Sequence, residues 1–148
     1  MQGTSLGGVL GSAYAALSPD LDGAIFQVTG VGVTSILAGS ILWDVAFSRL
    51  EPPAATGAEA LLLKGAIQQL LDYGDSINYI GLMRYPDNGR PIRPLYVMTG
   101  AGDNIVPNDS SVALARIAGL PLVGLPHSAI EAAADRLRVR FVREAFAD

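Results

Sequence analysis

The sequence predicts an α/β protein: a small, mostly parallel sheet flanked by helices. Short apolar runs at 24–28, 95–99 and 120–125 take turns with amphipathic stretches, the rhythm of strand and helix alternating along a chain. The runs lack a period of two, which suits strands buried on both faces, as in a parallel sheet. Half of the 148 residues are apolar and 16% are charged, the reverse of a disordered composition. A chain of this length can bury a core as one unit, so a single domain over 1–148 is expected.

Taken in order, Gly7 to Leu17 reads as a helix opened by glycines and stopped before Ser18-Pro19. Ala24 to Val28 is a strand ended by Thr29-Gly30. Glu51-Pro52-Pro53 breaks the chain. Thr56 and Glu59 then have the spacing of a capping box ahead of Leu62, Leu63, Ala66, Ile67 and Leu70, which predicts a helix from Gly57 to Tyr73. Tyr85-Pro86-Asp87-Asn88-Gly89 is a turn. Leu95 to Thr99 is a strand ended by Gly100. Asn108 or Asp109 can cap a helix through Ile117, and Leu120 to Leu125 is a third strand, stopped at Pro126. Ser128 and Glu131 repeat the capping signal before Ile130, Ala134, Leu137, Phe141 and Ala145, one face of a closing helix. Arg136, Arg140 and Arg143 lie mostly on its other face, which reads as solvated.

Composition narrows the function. With no cysteine and one histidine, His127, neither disulfides nor zinc-thiolate sites are possible; no metal and no cofactor is expected. A net charge of −4 offers no basis for binding nucleic acid. The apolar N-terminus lacks a basic flank, since no Lys or Arg occurs before Arg49, so a cleaved secretory signal is not expected and a cytoplasmic protein is. Gly23 to Trp43 carries no charge but is interrupted by Gly30, Gly32 and Gly39. A buried strand followed by an apolar loop and helix explains it better than a membrane span.

Three places carry chemistry. Gly3-Thr4-Ser5-Leu6-Gly7 is a GxSxG pattern followed at once by Gly8 and a helical stretch. A nucleophile elbow needs that pattern, because the serine sits in a strained turn that only residues as small as glycine can flank two positions either side. Ser5 would stand at a helix N-terminus, and the Leu6 amide would point at a developing oxyanion. Composition alone yields such a pattern in about one chain in eight, so context must decide. The context is Asp103, just past the end of the 95–99 strand, where open α/β sheets build their sites. His127 follows the next strand. Ser5, Asp103, His127 is the chain order of a hydrolase triad. Each also has a bland reading: a glycine-loop serine, a turn-capping aspartate, a helix-entry histidine.

GTSLGG at 3–8, TGAGDNIVP at 99–107 and LPHSAIE at 125–131 resemble the nucleophile, acid and histidine segments of α/β-hydrolases, above all bacterial lipases and carboxylesterases. The resemblance runs over nearly the whole chain, as the C-terminal half of that fold. It implies Ser5 as nucleophile, His127 as base and then acid, and Asp103 as the group orienting the imidazole. Residues 31–90 would be a cap-like insertion. Its Leu42, Trp43 and Phe47 suit an acyl pocket, and packing against the sheet explains them equally well. Only Met1 and Gln2 precede Gly3, so the family's strand into the elbow and the loop giving a second oxyanion donor are expected to be missing. The strand at 24–28 would then keep an unpaired edge, which predicts a homo-oligomer or association with a separate N-terminal piece. An esterase or lipase acting on small esters or lipids is the resulting expectation. A catalytically weak fragment serving as an interaction module is its competitor, and phosphate binding by the glycine loop is disfavoured for want of a P-loop lysine.

Overall fold

The computed structural model describes all residues except 44, 46–48, 50–53, 88, 124–139 and 145–148. Strand β1 (Gln2–Thr4) leads through Ser5 into α1 (Leu6–Leu17), and β2 (Ala24–Gln27) is followed by the short α2 (Val33–Ala38). Helix α3 (Gly57–Leu71) and three 3-10 turns (Asp72–Gly74, Ser76–Asn78, Ile80–Met83) precede β3 (Leu95–Ala101). After β3 come α4 (Asn108–Ile117), β4 (Leu122–Val123) and β5 (Arg140–Glu144).

The sheet order is β1-β2-β3-β5-β4. The first three strands are parallel, with Gly3 opposite Phe26 and Phe26 opposite Val97. Strand β5 is antiparallel to both its neighbours. Parallel strands laid down in sequence order, joined by right-handed crossovers, put their connecting helices on one face. The burial pattern agrees. Phe26, Val97 and Leu95 share one core with Ala15 and Ala16 of α1, Leu114 of α4, and Ile80 and Met83 of the 3-10 turns. Gln2 and Ile25, one position out of that register, are exposed.

Helix α1 lies close on the sheet because five of its six buried residues, Gly8, Gly11, Ser12, Ala15 and Ala16, are small, Val9 being the sixth. Its last carbonyls are capped by a guanidinium from the far end of the sheet. Buried Arg93 donates to Ser18 O at 2.5 Å and Ala16 O at 2.7 Å, supplying partners that a helix C-terminus otherwise lacks. The predicted capping box of α3 is present, with Glu59 N donating to Thr56 Oγ1 at 3.3 Å and Thr56 N to Glu59 Oε2 at 2.7 Å. The fixed donors at Thr56 hold the Glu59 carboxyl below its usual value.

Five expectations are corrected. A strand does precede the elbow, three residues long, and it pairs with β2, so the free sheet edge belongs to β1 and not to 24–28. Helix α3 ends at Leu71, the chain tightening into a 3-10 turn at Asp72–Gly74 before Tyr73 is reached as α-helix. Helix α4 has Pro107 at its cap position without a side-chain cap, because Asn108 is buried and spends its amide elsewhere. The strand expected from Leu120 starts only at Leu122, is described as Leu122–Val123, and lies two places from β3; Gly124 and Leu125 lie outside the described residues. Arg140–Glu144, assigned from the sequence to the closing helix, is a strand that hydrogen-bonds β3. The rest of that helix lies outside the described residues.

Candidate active site

Ser5 joins β1 to α1 with φ 52° and ψ −127°. Non-glycine residues seldom adopt a positive φ, and holding one there costs about 1–3 kcal/mol. The surroundings supply that hold. The Ser5 amide extends the sheet by donating to Gln27 O at 2.9 Å, while its carbonyl starts the helix by accepting from Gly8 N at 2.8 Å and Val9 N at 3.0 Å. The turn is sharp enough that a Cβ on Gly3 would lie 2.5 Å from Gly7 O. A Cβ on Gly8 would lie 2.6 Å from Thr29 Cβ, which is fully buried. Gly7 meets nothing within 4 Å. The glycines required by contact are thus Gly3 and Gly8, a correction to the symmetric requirement read from GxSxG.

With Gly8 and Val9 bonded to the Ser5 carbonyl, the amides of Leu6 and Gly7 head α1 outside the helical ladder. They stand beside the partly exposed serine at the positive end of the helix dipole. Leu6 itself projects outward, its residue surface 66% exposed.

Asp103 sits past the end of β3 in a loop fixed at both ends. Gly102 turns the chain with φ 70°. Buried Asn108 spans the loop, donating to Gly100 O at 2.8 Å and accepting from Gly102 N at 3.2 Å. Asp103 Oδ1 accepts from Ile105 N at 2.8 Å and Val106 N at 2.9 Å. These bonds realise the bland, turn-capping reading, yet they occupy one carboxylate oxygen only. The other, Oδ2, lies 3.9 Å from where a Gly100 Cβ would stand, and that same point is 3.3 Å from Val28 Cγ1. The acid therefore rests over the end of β3 beside the end of β2.

Because the three strands are parallel, Ser5, Val28 and Asp103 all lie at one rim, the C-terminal edge of the sheet. The Thr4–Gln27 pairing brings the ends of β1 and β2 level, and β3, paired to Gln27 at Met98, runs on to Ala101. Strands β1 and β3 are two strand spacings apart, roughly 10 Å. Val28 is a second backbone outlier at this rim, with φ 44°, and its amide donates to Met98 O at 2.7 Å. A β-branched residue gives no warning of that conformation in the sequence.

The 31–90 segment covers the rim through α2. Ile36 of α2, Val9 of α1 and Val106 of the acid loop form a small core of their own, with Val33 against it. Ile41 N donates to Asn104 O at 3.0 Å. Asp75, fully buried and not anticipated from the sequence, anchors α2 from 42 positions away. Its carboxylate accepts from Gly32 N at 3.0 Å, Val33 N at 2.6 Å, Ile77 N at 3.0 Å and Gln68 Nε2 at 2.9 Å. Burial opposes its ionisation, but the bonds from Ile77, Gln68, Val33 and Gly32 outweigh that and hold the carboxyl below its usual value.

Of the expected acyl-pocket residues, Trp43 is buried beneath the Lys64 ammonium, which stands 4.9 Å from the ring centroid. Leu42 is 39% exposed. Phe47 and His127 lie outside the described residues. Ser5, Leu6 and Asp103 are brought to one rim. Among the described residues no helix is long and apolar enough to cross a membrane, and 23–43 divides into β2, a loop and α2 as expected. No family model, curated protein or solved structure matches the chain.

Proposed function

We propose that the protein is a serine hydrolase of carboxylic esters, with short or medium acyl esters as substrates. The observation that carries this reading is the backbone of Ser5, strained into positive φ between β1 and α1 on the rim that also holds Asp103. A serine that only opened a helix would have no use for that strain.

In the proposed reaction, His127 takes the Ser5 proton as Oγ attacks the ester carbonyl. The Leu6 amide stabilises the oxyanion, and the imidazolium protonates the leaving alcohol. Water, activated by the same histidine, then cleaves the acyl-enzyme. Asp103 Oδ2 orients the imidazole while Oδ1 stays tied to the turn. Chain length permits this: β4 runs parallel to β3 at two strand spacings, and the four residues from Val123 to His127 can reach roughly 13 Å. Leu42, Trp43 and Phe47 are proposed as the acyl-side wall.

Hydrolysis of p-nitrophenyl acetate and butyrate by the wild type and Ser5→Ala tests the reading. Loss of at least about a thousandfold in kcat/KM is expected for the variant. Equal rates would remove Ser5 as the nucleophile.

A second reading, a hydrolase-like module without activity, draws on the insertion of β5 between β3 and β4, which starts the path to His127 away from Asp103. It predicts a folded wild type with no turnover of either ester.

A further inference from the structure

Strand β1 is an edge. The bonds Ile25 N to Met1 O and Ser5 N to Gln27 O, both 2.9 Å, show that the odd-numbered residues face β2. The amides and carbonyls of Gln2 and Thr4 therefore point away from the sheet, a row of groups suited to a further strand. Helix α1, lying over β1, carries an apolar stripe on its outer side. Leu6, Leu10, Tyr14 and Leu17, at positions i, i+4, i+8 and i+11, are 66%, 55%, 57% and 46% exposed. Met1, 42% exposed, packs with its methyl against Gly11 and extends the stripe to the strand.

We propose that the β1 edge and the outer stripe of α1 form an interface between two copies of this chain. A two-fold axis through Gly3 would pair Gln2 of one copy with Thr4 of the partner subunit in an antiparallel ladder. Both copies would then share a continuous sheet, with their α1 helices side by side on the same face. Charge fits a self-facing surface. Residues 1–19 contain no Asp, Glu, Lys, Arg or His, in a chain with net charge −4, so the axis opposes no like-charged side chains. The area is also adequate. Complete covering of these five residues on both copies would remove at most roughly 1,100 Å² from water before the strands are counted, against about 1,200–2,000 Å² for stable interfaces.

The comparison stripe is on α3, where Leu62 and Leu70 are 75% and 83% exposed. Sedimentation velocity of the full chain at micromolar concentration is expected to give twice the 15.4 kDa chain mass. Leu10→Glu and Tyr14→Glu, each at a site more than half exposed, are expected to raise the dimer dissociation constant at least about 100-fold, with unchanged circular dichroism. Leu62→Glu/Leu70→Glu is expected to stay dimeric. A monodisperse wild-type monomer overturns the proposal. So does a dimer indifferent to charge at residues 10 and 14, or one dissolved by the α3 substitutions. If an α1 variant misfolds, Gln2→Pro, which removes an edge donor facing away from β2, serves in its place with the same expectation.

Discussion

At the elbow the backbone is held by contact. Gly3 lies against Gly7, Gly8 against buried Thr29, and the strained serine is clamped between sheet and helix. Around Asp75 the backbone is held by hydrogen bonds: one carboxylate collects three amides and a glutamine, and it fixes α2 while α3, alongside, buries no residue fully. The two regions position the two sides of the same rim. Close contact fails when volume is added; a buried anion fails when its charge or its lone pairs are removed. The comparison also separates two aspartates. Asp75 is fully enclosed and saturated, whereas Asp103 is partly exposed with one oxygen committed to its turn. The second arrangement is the one that leaves an acid able to orient a histidine.

The largest expected effect is therefore at Gly3. Gly3→Ala should destabilise the fold by about 3 kcal/mol or more, because the new methyl meets backbone and not a flexible side chain, and the proposed esterase activity should go with it; urea denaturation measures the loss. Asp75→Ala should cost about 3 kcal/mol by leaving buried amides of Gly32 and Val33 without an acceptor. The same site sets a pH dependence. Its carboxyl is held below the unfolded value of about 3.9, so the stability it contributes is fully present above that pH and is lost as pH falls through the folded value. Acid titration of denaturation midpoints should show that loss in the wild type and a smaller one in Asp75→Ala. Gly7→Ala should be the mildest change. With nothing within 4 Å of its Cβ position, alanine should raise stability by about 0.5 kcal/mol, so the two glycines of one GxSxG pattern should respond with opposite signs.

Much of this was legible in the sequence, for identifiable reasons. The 24–28 and 95–99 runs became β2 and β3, and the capping box at Thr56 and Glu59 became the start of α3, because apolar runs and paired caps are local signals. Strand β1 was missed because three residues carry no period. Asp75 was missed because its partners at Gly32 and Val33 are more than 40 positions away, and no local pattern marks an aspartate that caps a helix across the fold. Arg140–Glu144 was misread because Phe141 also fits a helical face begun far upstream, and its pairing with β3 is a long-range choice. In the candidate site, motif and chain order named Ser5 and Asp103, which the structure puts at the same edge of the sheet. The asymmetry between Gly3 and Gly7 and the positive φ of Val28 needed coordinates.

The most direct test of the account is covalent. Incubation of the wild type with a fluorophosphonate, followed by intact-mass and peptide analysis, should give one adduct per chain on Ser5, absent in Ser5→Ala and strongly slowed in His127→Ala. A folded wild type that takes up no phosphonate, or takes it up on another residue, would contradict the claim that the strain at Ser5 serves a nucleophile.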